Sequence, residues 1–135
     1  MKKNIYFLIV VLFGISILIM SCEKSEPEVT TSDRDKYIGT WDGQSDGSGG
    51  HRNFPLIITI SNSSPDQIKM ENFDGGNGIV FATVSGNSLS IPSQVVSSET
   101  IQGTGNFSIN AISFLFSVDD GQSVENRTGA AKGKH

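Results

Sequence analysis

Cysteine occurs once in these 135 residues, at Cys22, and tryptophan once, at Trp41. A lone cysteine forms no internal disulfide, so the fold must be held by packing rather than by a covalent cross-link. Histidine is nearly as scarce. His51 lies beside the glycine-rich stretch SDGSGGHR and His135 ends the sequence, which leaves no pair at metal-ligand spacing and no Cys-His dyad in the domain. Lysine and arginine number 10 against 14 acidic residues, and no basic stripe tracks along the chain, which argues against a nucleic-acid partner. Lys132, Lys134 and His135 read as a solvated tail. The glycine clusters lack the Gly-x-Gly-x-x-Gly or Walker lysine pattern and precede no helix, so they read as turns rather than phosphate cradles. DGQSDG at 42–47 lacks the ligand alternation and distal glutamate of a calcium loop. Nothing here points to a metal, a cofactor or an enzyme.

What the chain does have is an oily start. Lys2 and Lys3 precede an apolar run from Ile5 to Met20, interrupted by Gly14 and Ser16. That layout is the one a secretory signal takes. A transmembrane helix needs roughly 20 apolar residues to cross the hydrocarbon core, and this run is shorter; a retained anchor is the alternative. Directly after it, Ile19-Met20-Ser21-Cys22 places an aliphatic, a variable and a small residue before cysteine. The tetrad resembles the lipobox of bacterial lipoproteins. The resemblance implies cleavage before Cys22, a diacylglycerol on its sulfur and an acylated amine. Two or more acyl chains anchor stably where one binds only marginally. A buried or redox-active thiol is the bland alternative. The resemblance places the protein in the cell envelope of a Gram-negative bacterium, on the outer membrane, facing either the periplasm or the surface.

Three segments follow from this reading: a signal peptide at 1–21, a lipidated Cys22 with a tether through residue 36, and one domain at 37–135. The tether sequence EKSEPEVTTSDRDK is polar, mixed in charge and without apolar periodicity. Removal of Lys2 and Lys3 with the signal takes the net charge from −4 to −6.

Past Tyr37 the chain turns to Gly, Ser, Asn, Thr and aliphatics, and period-two alternation between turn signals predicts about eight short strands. Phe54, Leu56, Ile58 and Ile60 share one face of NFPLIITIS, with Pro55 suggesting an edge or a strand start because proline cannot donate to a ladder. Ile68 and Met70 point inward from QIKMENF. GIVFATV offers Ile79, Phe81 and Thr83 against Val80, Ala82 and Val84, and the first set is expected inside. Ile101 and Phe107 share a face with Gly103 and Gly105 between them, which suggests bending or close backbone approach. Ile112, Phe114, Phe116 and Val118 form the clearest alternating strand. Tyr37 to Gln44 and Ser123 to Ala130 complete the set. Eight meander-connected strands read as an all-β, antiparallel up-and-down barrel, with a small β-sandwich as the alternative.

Gly39-Thr40-Trp41 resembles the G-x-W of lipocalin and calycin barrels, and Arg127 stands in the last strand where those folds place a basic residue. The resemblance implies barrel closure by Gly39, Trp41 and Arg127, with the guanidinium stacked on the indole, a contact worth roughly 0.5 to 2 kcal/mol. Trp41 as ordinary core with Arg127 as a surface charge is the alternative. The stretch from Ala82 to Gly121, with VSGNSLSIPSQ leading to IQGTG and then AISFLFSVDDG, is similar to small lipocalin-like lipoproteins of Gram-negative bacteria. That family implies a fold and a location but no activity.

Two functions are expected on these grounds. One is a non-catalytic binding module holding a small apolar ligand, lined by Phe54, Leu56, Ile58 and Met70 together with Phe81, Phe114 and Phe116; plain core is the other reading of these side chains. The second is an interaction lipoprotein that contacts an envelope protein or polymer through loops such as Ser45 to Arg52 and Asp74 to Gly78.

Overall fold

Alternation becomes strand wherever the apolar partner sets can face one another. A computed structural model describes residues 32–135; the expected signal peptide, Cys22 and the tether up to residue 31 lie outside the described residues. Eight strands follow in order: β1 Gly39–Gly47, β2 Gly50–Ile60, β3 Gln67–Glu71, β4 Ile79–Ser85, β5 Ser88–Val96, β6 Glu99–Ser108, β7 Ala111–Asp119 and β8 Val124–Lys132. A single 3-10 turn, Phe73–Gly75, interrupts the meander between β3 and β4. Each strand pairs antiparallel with the next, and β8 returns to pair with β1, Asp42 opposite Lys132 and Asp46 opposite Thr128. The sheet is therefore a closed barrel and not a sandwich.

Inward positions carry the core. Phe54, Leu56 and Ile58 from β2, Ile68 and Met70 from β3, and Ile112, Phe114 and Phe116 from β7 are all buried, on the faces the alternation predicts. β4 reverses its predicted phase. Val80, Ala82 and Val84 are buried, Ile79 is exposed and Phe81 is half-buried on the outside. The cause is register: Met70 lies opposite Val80 and Ile68 opposite Ala82, and directly opposed residues share a face. Both faces of β4 are apolar, so its own sequence leaves the phase open and β3 decides it. Phe81 thus leaves the set of interior side chains.

Local devices shape the wall. Pro55 sits in the middle of β2, but the ladder to β3 begins only at Ile57, so one side of β2 is open there and proline's missing donor is tolerated. The β5–β6 pairing slips between Ile91 and Gln94. At that bulge the Gln94 side-chain amide takes the place of a strand partner for Phe81, accepting its N–H and donating to its carbonyl, both at 2.8 Å. The turns Ser97-Ser98 and Ile109-Asn110 carry positive φ at both residues, the geometry whose twist matches a two-residue hairpin. Gly103 lets β6 lie tight against β7: a Cβ there would meet the Leu115 carbonyl and come within 2.7 Å of the Phe116 Cα.

Backbone in the way cannot swing aside as a side chain can. Gly103→Ala should lower stability by about 1–3 kcal/mol, the range for overpacking, read as a fall in the urea midpoint. An unchanged midpoint would show that β6 and β7 do not approach this closely.

Candidate functional site

The barrel interior, the sequence-predicted ligand site, is full. Trp41, Leu56, Ile68, Met70 and Ile112 present no surface to a water-sized sphere, and Ile58 and Val80 present 1 %. A ligand-sized void would expose these side chains from within. A concavity at the mouth, lined by Phe73, Val80, Ile101 and Val118, holds about 30 Å³, room for a water or two and far below the ~300 Å³ at which ligand pockets begin. Phe54, Leu56, Ile58, Met70, Phe114 and Phe116 are brought together as packed core.

Both ends of the barrel are closed. At the base, where β1 begins, Tyr37 and Trp41 meet Phe107 edge-on, with ring centroids 5.4 and 6.3 Å apart, and the Trp41 indole donates to the Tyr37 carbonyl at 2.8 Å. Burial, helped by the Asp33 carboxylate, pushes the Tyr37 hydroxyl up to about 12. The turn that leads into β1 is fastened across this end by Arg34, whose guanidinium donates to the Ser61, Ser64 and Gln67 carbonyls. His135 pairs with Thr40, its N–H 2.8 Å from the Thr40 carbonyl.

At the opposite end, the mouth, the Phe73–Gly75 turn folds inward. Phe73 packs edge-on against Phe114 and Phe116 at 5.3 and 4.8 Å. Asp74, at φ +57°, is buried beside it. One carboxylate oxygen of Asp74 accepts from Ser45 Oγ and from Arg127 Nε at 3.1 Å, and the other accepts from the half-exposed Arg52 at 2.7 Å. Arg127 completes its set with Glu125 at 2.7 Å, Ser45 Oγ at 3.2 Å and the Gly50 carbonyl at 2.9 Å. The Gly49 N–H and then the Arg127 charge hold the Glu125 carboxyl below its usual range.

The stacked Trp41–Arg127 pair expected from the lipocalin resemblance is not the one adopted. Both side chains are inside and buried, yet Arg127 reaches Ser45, four residues beyond Trp41 along β1, a separation of about 13 Å at the usual rise. The pull on the guanidinium is Asp74, which offers a charged acceptor in a dry setting; an indole face is worth far less there. Gly39 likewise serves the base, where a Cβ would meet the Lys134 stem. Asp74, Ser45 and Glu125 went unrecognised in the sequence. Ser45 did carry a signal, the inward phase of Trp41-Gly43-Ser45, and Arg127 the same in β8, each a polar residue where the alternation demands core.

Outside, a broad concavity of about 670 Å³ runs across the wall from the β5 bulge over β6, β7 and β8 to Asp46 of β1. Its outward side chains are hydroxyls and amides around Leu115, which is 63 % exposed, with the Asp46 carboxylate at the β1 edge. Among the described residues no group of three or more His, Cys, Asp or Glu is placed to hold a metal ion.

Two measurements test the mouth. Arg127→Met removes the buried partner of Asp74, leaves that carboxylate only the half-exposed Arg52, and should cost about 3–5 kcal/mol, as expected when one partner of a buried pair is removed. A double-mutant cycle of Arg127→Met with Asp74→Leu should show strong coupling, whereas the cycle with Trp41→Phe should be additive within ~0.5 kcal/mol. The second test is His51 at the β1–β2 hairpin, whose ring contacts Asp46 at 2.7 Å and Asn53 at 3.2 Å. Hydrogen bonds to Asp46 first and Asn53 second, with the Asp46 charge, raise its pKa above 6.5. Its contribution to stability is complete below the unfolded value of 6.5 and is lost as pH rises through the higher folded value. An NMR titration should find a midpoint above 6.5 that falls in Asp46→Asn; an identical midpoint in the two proteins would discard the pairing.

Compared with known protein families and curated proteins, the chain matches no family profile and no curated sequence, so the functional reading comes from its own residues.

Proposed function

We propose that this chain is a lipid-anchored lipoprotein of a Gram-negative cell envelope, acylated at Cys22 and held at the outer membrane, whose lipocalin-like barrel is a non-catalytic interaction module. It meets an envelope protein or polymer with its outer surface and loops rather than enclosing an apolar molecule.

The observation that carries the choice between inside and outside is the filled core. Eight strands leave an interior just wide enough for side chains or for one small ligand, and here side chains occupy it. Covering Leu56, Met70 and Ile112 with a ligand would first require their neighbours to move apart, at a cost of packing that each buried aliphatic group resists. Support for the anchor is in the sequence: the run Ile5 to Met20, the small Ser21, and a cysteine that has no second cysteine to pair with.

Metabolic labelling with radioactive palmitate tests the anchor. The native chain should take up label, and Cys22→Ala should lose it and accumulate as uncleaved precursor; a mature N-terminus other than an acylated Cys22 would overturn it. A hydrophobic fluorophore titrated against the barrel should show no saturable binding. Saturable binding that Ile112→Trp blocks would favour the carrier reading instead.

A further inference from the structure

From Ser88 to Ala131 the only charged residues are Glu99, Asp119, Asp120, Glu125 and Arg127. The four carboxylates stand at the mouth ends of β6, β7 and β8 or in the loop after β7, and Arg127 is inside the barrel. Between those mouth-end carboxylates and Lys132 at the base end of β8, the outer wall built by these strands carries no charge of its own, and the 670 Å³ concavity lies across it with Asp46 of β1 at its edge. The β1–β4 side is different, with Asp42, Asp46, Arg52, Lys69 and Glu71 in its strands.

Register arranges the outward side chains of the concavity in two rows. Gln102 lies opposite Ser117, which lies opposite Asn126. Beside that row Thr104 lies opposite Leu115, Leu115 opposite Thr128, and Thr128 opposite Asp46. Neighbouring strands are about 4.8 Å apart, close to the length of one sugar ring, so a linear chain crossing the strands meets a fresh set of side chains at each ring. The hydrogen bonds of the described residues engage none of the Gln102, Thr104, Ser117, Asn126 and Thr128 side chains.

We propose that this wall is a binding site for an uncharged glycan chain, an inference that deepens the outer-surface reading above and rests on it. Amides and hydroxyls each donate and accept, as sugar hydroxyls do, so two rows of them satisfy a polyol in either direction. Leu115 supplies the apolar floor that the C–H face of a ring covers. The lack of exposed charge matters equally. A charged side chain covered by a neutral polymer would lose hydration without a partner; the carboxylate in the groove, Asp46, lies at its β1 edge and already faces His51 at 2.7 Å. A protein partner would favour aromatic, methionine or arginine side chains at the centre of its site, and the groove exposes none of these.

The full chain, purified in a non-glycosidic detergent and isotope-labelled, is titrated by NMR with cellopentaose, maltopentaose and chitopentaose, with glucose as the single-ring control. At least one pentasaccharide should shift the Gln102 and Asn126 side-chain amides saturably and bind more tightly than glucose. Gln102→Ala with Asn126→Ala should weaken it about tenfold, equivalent to roughly 1.4 kcal/mol, with the thermal midpoint unchanged because both residues are outside the core. Failure of all three sugars to shift this wall overturns the proposal. So do shifts that appear on concentrating the protein alone, with dimer seen by sedimentation, since a second copy then occupies the wall. A photocrosslinking residue in place of Leu115, used in cells, separates the two levels of inference. A protein adduct there leaves the outer-surface reading standing and removes the glycan. No sugar binding, with no adduct at Leu115 or Ser48, removes both.

Discussion

Pairing of β1 with β8, Asp42–Asp46 against Thr128–Lys132, is the contact on which the rest of the structure depends. It removes the two edges an open eight-stranded sheet would expose to other chains, and it fixes the interior at a width that side chains can fill. Closure also creates two open ends, each of which would wet the core if left uncovered. The base is covered by the Tyr37–Trp41–Phe107 cluster and by Arg34, tied to three carbonyls. The mouth is covered by Phe73 and the Asp74–Arg127 pair. Tyr37 and the chain end at His135 both serve the base, so residues far apart in sequence depend on the same closure.

A guanidinium inside an apolar barrel is costly to desolvate, and Coulomb attraction offsets that cost only with good geometry and with its remaining donors satisfied. Arg127 meets both conditions. Its four contacts come from β1, the start of β2, the inward turn and its own strand, so it ties together elements that the sheet alone joins only in pairs. The arrangement specifies which turn enters the mouth, since Asp74 must stand at a left-handed backbone position for its carboxylate to face Arg127 and Arg52 at once. Glu125, below its ordinary 4.5, adds an acid-sensitive element: its contribution is present above that value and is lost as pH falls through the lower folded one.

The strand count, the meander and most of the core were legible because β2, β3 and β7 carry an unbroken apolar row on one face, with a mixed or polar row on the other. β4 was not, since Ile79-Val80-Phe81-Ala82 is apolar on both faces and only the pairing with Ile68 and Met70 selects one. The hairpins at Ser97-Ser98 and Ile109-Asn110 were equally hidden. A two-residue turn of this kind favours asparagine and glycine, and Ile109, exposed and β-branched at φ +38°, is held there by the ladders on either side rather than by its own preference. Trp41 and Arg127 were legible as inward residues, but their levels along the barrel were not. Strand phase gives the face a side chain occupies, while its height depends on the shear of the closed sheet. Asp74 was hidden more deeply, because a turn sequence such as Asp74-Gly75-Gly76 is ordinarily solvated and only the presence of Arg127 beneath it draws the carboxylate in.

Once the interior is filled and both ends are covered, the outward positions are free of the constraints that fix the core. A small soluble domain ordinarily scatters both signs of charge over such positions, which keeps copies apart. The β1–β4 side does so. The β5–β8 wall does not, and the cause is not its strand geometry, because Thr104, Ser117, Asn126 and Thr128 are as outward as Asp42 and Lys69. Nor is it a shortage of acidic residues in this half of the chain, since Glu99, Asp119, Asp120 and Glu125 gather at the mouth. Charge gathers at the ends of these strands, the four carboxylates at the mouth and Lys132 at the base, and enters the groove that crosses them at its β1 edge, as Asp46. Folding requires no such uneven distribution, and the neutral rows between the strand ends are what the proposed glycan contact would use.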